Sequence, residues 1–254
     1  MAVFVSGSDE SAGKTQRDRF YQAGFVAPEN DWSLFFAPAW QERVLNGPPK
    51  IPYLHMTDIR SRSWRAKYAL SDTDAEDRVD EACELIAQLG TLYPVGAYLD
   101  AGIFRDNFSS FRFVAASGGE KIFEPDYVCF LLYSVLVLRY VDVLYPEADR
   151  VDFIVETKSD VTKHIQEFHS HTAANLKALN MGHLARLVGE IIPGGKDRVP
   201  LQTADLLCWH SARSGGENLD IRTYLRYHRI AHNPGTLVQI TARQIAELRQ
   251  VLSA

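Results

Sequence analysis

Only three of the 254 residues are cysteine: Cys83, Cys129 and Cys208. An odd count without metal-like spacing excludes a disulfide framework and a thiolate zinc site, and predicts reduced core residues. Excess positive charge is also missing. Lys and Arg number 27 against 32 Asp and Glu, a formal net charge of -5. That balance excludes coating of nucleic acid by bulk electrostatics but leaves room for a local basic track. There is no long uninterrupted apolar run either. The longest, Tyr127 to Leu144, contains Arg139 and Asp142 and reads as a buried or amphipathic helix, with no membrane span expected. The start lacks a basic stretch followed by sustained apolar residues, so a cytoplasmic chain without a signal peptide is expected. Internal repeats and low-complexity tracts are absent too.

What is present concentrates at the start. The run Val3-Phe4-Val5 leads into Asp9-Glu10 and then Gly13-Lys14-Thr15. Carboxylates at a strand end hold divalent cations, whereas a Gly-Lys-Thr loop holds phosphates directly. The phosphate-loop motif requires a glycine where Ser8 stands, and its loop would contain two negative charges. The residues that follow, Arg19 to Ala27 before Pro28, are aromatic and apolar and suit a strand better than a helix. The reading is a strand–turn–strand hairpin, with Lys14 as a candidate phosphate contact. ATP binding through Gly13-Lys14-Thr15 is a competing reading.

Further along, Ile51 to Met56 is read as a third strand, and Trp32 to Asn46 as a helix closed by Gly47-Pro48-Pro49. A helix is expected from about Asp74 to Leu89, with Val79, Cys83, Ile86 and Leu89 on one face. Tyr93 to Asp100 reads as a buried strand, and Pro125 opens a long helix. Val151 to Glu156 is the clearest later strand. Helices are expected from about Val161 to Leu179 and on to Ile191, then from Pro200 to about Ala212. The order predicts an α/β fold with a mixed sheet flanked by helices, three antiparallel strands followed by alternating helix and strand, as in the ribonuclease H-like fold. Residues 1–215 form the expected domain. Residues 216–254 form a small C-terminal appendage with a helix near Ile221–His228, a strand at Leu237–Ile240 and a capping box from Thr241 and Gln244.

Acids fall at the ends of these elements: Asp9 and Glu10, Asp100, Glu156 and Asp205. Carboxylates converging from separate strands and a helix supply the oxygen ligands that magnesium prefers, and phosphodiester hydrolysis needs such a cation. Gln202 and Asp205 lie three apart, sharing one face of a helix whose Leu201, Ala204 and Leu207 can face the core. His164, His169 and His171 lack the spacing of a helical metal pair and are expected on the solvated surface, and His210 is expected to be peripheral. Arg60, Arg62, Trp64, Arg65 and Lys67 follow the third predicted strand with no acid among them, a composition able to contact phosphates and stack a base. Arg222, Tyr224, Arg226, Tyr227, His228 and Arg229 form a weaker mixture of the same kind.

These residues resemble a known family. Asp9-Glu10-Ser11, the strand end Gly24-Phe25-Val26 and the helix Leu201-Gln202-Thr203-Ala204-Asp205-Leu206-Leu207 look like the signatures of the domain of unknown function 3800 family. His55 stands where that family often has a histidine, and Glu156 where it usually has an aspartate. The resemblance spans roughly residues 3–213, with Ala12 in place of a frequent glycine. It implies a ribonuclease H-like fold and a metal-dependent nuclease acting on DNA or RNA. Asp9, Glu156 and Asp205 would then hold Mg2+ or Mn2+, with Glu10 and Asp100 as secondary ligands. Gln202 would hydrogen-bond a ligand or the scissile phosphate, and His55 and the basic segment would contact substrate. A non-catalytic module binding nucleic acid or protein is the alternative.

Overall fold

The structure, a computed structural model, describes residues 2–12, 19–108, 112–114, 120–122, 124–157, 165, 166, 169, 171–178, 180–214, 221–231, 237–244 and 246. Strands β1 (Val3–Ala12) and β2 (Arg19–Pro28) pair antiparallel, from Phe4 opposite Pro28 to Ala12 opposite Phe20. Neither alternates cleanly between apolar and polar residues, because helices cover both faces of the sheet. The buried polar residues inside β1 differ: Ser8 Oγ has no hydrogen-bond partner among the described residues, whereas Ser6 is bonded to the helix on its face. Ser6 Oγ meets the Tyr133 hydroxyl at 2.6 Å.

The expected helix at Trp32–Asn46 forms as one helical stretch, α1. Its π-helical turns at Asp31–Phe36 and Gln41–Leu45 flank an α-helical turn at Ala37–Trp40. The expected third strand at Ile51–Met56 does not form. Pro52 lacks an N–H, and the Leu54 and Met56 amides donate instead to Gln202 Oε1 (2.9 Å) and Asp205 Oδ2 (2.5 Å). The segment is an irregular bridge into two short helices, α2 (Met56–Arg60) and α3 (Arg62–Lys67). Helix α4 (Asp72–Leu89) starts at a capping box between Ser71 and Asp74 and ends at Gly90, whose φ of 58° suits glycine.

The third strand of the sheet is β3 (Tyr93–Asp100), antiparallel to β2. After α5 (Ala101–Phe108) and a small hairpin of β4 (Arg112–Val114) and β5 (Glu120–Ile122), helix α6 (Pro125–Leu144) packs on β2 and β3. By length and composition α6 could cross a membrane; here 61% of its most apolar window is buried, so its apolar surface is used against the sheet. Strand β6 (Arg150–Glu156) runs parallel to β1.

Helix α7 (Thr172–Ala178) precedes a 3-10 turn at Gly182–Leu187 and strand β7 (Val188–Gly194), parallel to β6. The helix expected to reach Ile191 is thus replaced by a strand. Leu184, Leu187 and Ile191 have helical spacing, but Val188, Ile191 and Ile192 are β-branched and meet an open sheet edge. Helix α8 (Val199–Ser214) lies on β1 and β2, opposite α6. Helix α9 (Ile221–Ala231) packs on α4 and α8.

Strand β8 (Leu237–Ile240) pairs parallel with β3, so the segment read as an appendage completes the main sheet. Thr241 and Gln244 form the expected reciprocal cap, with backbone-to-side-chain distances of 2.9 and 3.3 Å. The result is a six-stranded mixed sheet ordered β7-β6-β1-β2-β3-β8 between two helical layers.

Candidate functional site

In β1 the side chains alternate between layers. Val5 joins the core beneath α8, whereas Phe4 joins the core beneath α6. Asp9 therefore shares the α8 face with Val5 and Gly7. In β6, Ile154 faces α8 while Phe153 and Val155 face α6, so Glu156 also projects on the α8 side. The parallel register sets Ser8 beside Val155, which brings Asp9 next to Glu156 on neighbouring strands. Glu10 projects from β1 toward the opposite layer, so its expected role as a ligand beside Asp9 is not supported by the strand geometry.

Helix α8 supplies the third acid. It approaches β1 closely because Gly7 has no side chain: a Cβ there would lie 2.3 Å from the Pro200 carbonyl oxygen. At this separation the Asp205 carboxyl lines the same cleft as that of Asp9. Asp9, Glu156 and Asp205 line one cleft of ≈ 260 Å³ with Leu54, His55, Lys196, Leu201 and Gln202. Burial pushes the Asp205 pKa up, and the Glu156 charge adds to this; His55, the Met56 amide and Asp9 act against it. Two carboxyls in one desolvated cleft need a shared proton or a cation.

The rim carries a second group of charges. The Asp58 carboxylate receives Lys196 Nζ at 2.9 Å, and His55 Nδ1 stands 3.2 Å from the same oxygen. Burial works against the Asp58 charge, yet Lys196, His55 and the Tyr53 hydroxyl outweigh it and hold the carboxyl below its usual range. Burial likewise works against Lys196, and Asp58 reverses the balance, so its pKa rises. His55 Nε2 lies 3.8 Å from Asp205 Oδ1. Nδ1 also lies 3.4 Å from Lys196 Nζ, so Asp58 and Lys196 share one side of the ring while Nε2 faces Asp205.

Other expected site residues are placed elsewhere. Asp100 Oδ1 caps α5 by accepting from the amides of Gly102 (2.8 Å) and Ile103 (3.3 Å). Asp9 aligns with Ala23 and Ala23 with Gly96, four residues short of Asp100. Strand spacing and rise then put Asp100 on the order of 16 Å from the cleft. Gln202 lines the cleft but is occupied. Its Oε1 accepts from Trp40 Nε1 (2.8 Å) and the Leu54 amide (2.9 Å), and its Nε2 donates to the Asp197 carbonyl (3.2 Å). It ties α1, the bridge and α8 together.

The basic segment is only partly available. Arg60 pairs with Glu76, and Arg65 donates to Asp72 at 2.7 Å and to the Ile59 carbonyl at 3.0 Å. Arg62 and Lys67 are exposed, and Trp64 meets the Tyr53 and Tyr68 rings in tilted contacts. Arg222 and Arg226 pair with Glu76 and Asp80 on α4, so the second basic mixture fastens α9. Lys14 and the rest of Gly13-Lys14-Thr15 lie outside the described residues, as does His164. His171 is exposed, but His169 is buried with Nε2 2.9 Å from the Gly189 carbonyl, contrary to the expected solvated position. His210 is 0% exposed, and both its ring nitrogens lack a hydrogen-bond partner among the described residues. Burial and the surrounding arginines lower its pKa to about 3, so it is neutral.

Sequence reasoning missed Lys196, Asp58, Tyr53 and Trp40. The pair His55 and Asp58 was readable as a histidine with an acid three residues on, entering a helix. Lys196 sits in the turn just before the Asp205 helix, a position whose direction sequence does not reveal.

Among the described residues no three His, Cys, Asp or Glu side chains stand close enough to ligate one ion as they lie. The donor chemistry nevertheless fits a hard divalent cation: three carboxylates reach one cleft, and burial there disfavours the charged form of Asp205. No protein-family model, curated protein or solved structure matches the chain.

Proposed function

We propose that the cleft hydrolyses phosphodiester bonds of nucleic acid with Mg2+ or Mn2+ held by Asp9, Asp205 and Glu156. The observation that carries this reading is the convergence of the Asp9, Asp205 and Glu156 carboxyls on one cleft from two strands and a helix. When bound, such an ion supplies an activated water and neutralises charge on the leaving oxygen. The chain holds the donors in place: Gly7 sets the approach of α8, the Met56 amide fixes one Asp205 oxygen, and Gln202 braces the bridge that carries His55. Asp58 orients His55 toward the cleft.

The strand order supports the same reading. β3-β2-β1 antiparallel, followed by β6 and β7 parallel to β1, is the order expected of a ribonuclease H-like core. Resemblance to the domain of unknown function 3800 family, through Asp9-Glu10-Ser11 and the Gln202/Asp205 helix, points in this direction too.

A non-catalytic module has one observation in its favour. Lys196 already stands in the cleft as a resident cation. Incubation of the protein with labelled DNA and RNA in Mg2+ or Mn2+ tests the proposal. Cleavage above an Asp9→Asn control is expected; its absence overturns the reading. Calorimetric titration with Mn2+ separates the two, since the module predicts no binding or binding unchanged by Asp205→Ala.

A further inference from the structure

From the cleft a row of rings and cations runs outward. Lys196 Nζ, anchored by Asp58, lies over the Tyr53 ring with 5.7 Å to its centroid. Tyr53 meets Trp64 at 5.9 Å between centroids, and Trp64 meets Tyr68 at 4.7 Å. Lys67 Nζ closes the row 5.1 Å over Tyr68. None of the three rings is fully buried, and Lys67 is exposed. They come from the irregular bridge and from α3, while Lys196 comes from the turn before α8. Three parts of the chain therefore build one surface.

Its chemistry is selective. Two cations flanking three partly exposed aromatic rings recognise a polyanion whose backbone carries unpaired flat bases, because bases can lie on the rings while phosphates meet the ammonium groups. A duplex keeps its bases stacked inside and offers these rings nothing but backbone. Asp58 does not repel such a strand, since its charge is taken by Lys196, His55 and the Tyr53 hydroxyl. Arg60 and Arg65 are each taken by a carboxylate outside the row, Glu76 and Asp72, whereas the partner of Lys196, Asp58, is shared with His55 and the Tyr53 hydroxyl.

We propose that the row Lys196–Tyr53–Trp64–Tyr68–Lys67 binds single-stranded nucleic acid and leads it into the acidic cleft. The delivery step rests on the phosphodiesterase reading, whereas the binding does not. Lys196 is the link between the two, touching a phosphate at the cleft edge while the rings hold the bases that follow.

Fluorescence anisotropy with labelled oligothymidylate and oligouridylate, in chelator, tests this without hydrolysis. The parent is expected to bind both single strands more tightly than a duplex of equal length, the stronger of the two naming DNA or RNA. Trp64→Ala is expected to weaken binding by about five- to a hundredfold, and Trp64→Phe to retain most of it. Lys196→Gln, a change at the surface that leaves the core filled, is expected to flatten the log–log salt dependence by about 0.7. Equal affinity for duplex, Trp64→Ala binding like the parent, or an unchanged salt slope in Lys196→Gln overturns the proposal. Loss of cleavage in the metal assay with this binding intact would sink only the hydrolase reading.

Discussion

The carboxyl groups of Asp9 and Asp205 meet in one cleft at the junction of β1 and α8. Asp205 also accepts the Met56 amide at 2.5 Å, so one side chain joins the bridge and the helix. The junction is held by residues that contribute no charge of their own. Gly7 leaves the space, and Gln202 keeps the bridge against the helix.

Gly7→Ala places a Cβ against the backbone of Pro200, which cannot rotate away. The expected cost is about 1–3 kcal/mol or more from overpacking. Urea unfolding measures it. Displacement of α8 should also separate Asp205 from Asp9, so this variant loses any Mn2+-induced rise in melting temperature.

Gln202→Ala removes the acceptor for two buried donors, Trp40 Nε1 and the Leu54 amide. The expected loss is about 2–4 kcal/mol, since each unsatisfied donor keeps its desolvation penalty. Equilibrium unfolding checks the size. A near-neutral result would mean that the bridge repacks and that Gln202 is free to serve a ligand.

Arg226 is 3% exposed at its side chain and bonds Glu76 at 2.9 Å and Asp80 at 2.6 Å. Arg226→Ala is expected to cost about 2–3 kcal/mol, less than for a fully buried pair because both acids are partly solvated. Burial raises the Asp80 pKa, but Arg226 and Arg222 outweigh it and the net shift is downward. A depressed acid pKa adds stability above the unfolded value of about 3.9, and that stability is lost as pH falls through the folded value. The gap between parent and variant should therefore be full at neutral pH and shrink below about pH 4, read by unfolding at each pH.

The three cysteines are buried. Burial pushes the Cys83 thiol up to about 12 and also raises Cys129 and Cys208. A thiol reagent should label none of them in the native protein at neutral pH and all three in urea. Fast native labelling would show that the layer around α8 opens.

Manganese should raise the melting temperature of the parent, by the equivalent of about 2.7 kcal/mol at a hundredfold excess over its dissociation constant. Asp9→Asn should show little of that rise. Thermal melts with and without the ion decide it.

Local signals in the sequence were enough for β1, β2, α4, α6, β6 and α8. In each, one propensity, period or cap dominates: Ser71 with Asp74 starts α4, and Pro200 sits in the first turn of α8. The two misread segments were those whose outcome depends on distant partners. Ile51–Met56 has strand-like residues but surrenders its amides to α8. Leu187 to Ile191 has helical spacing but finds the free edge of β6.

Sequence alone singled out five acids, Asp9, Glu10, Asp100, Glu156 and Asp205, because carboxylates at element ends stand out against apolar runs. It also selected the hairpin at the start over a phosphate loop, by spacing. Only tertiary structure decided which acids meet. Strand alternation turned Glu10 away, register left Asp100 two strands across and four residues further along, and a missing side chain at Gly7 let Asp205 approach Asp9. It also decided which cations are free, since the charge of an arginine is available only where the packed neighbours include no acid to take it. Residue type sets what a group can bind; distance and desolvation, which exist only after folding, set whether it does.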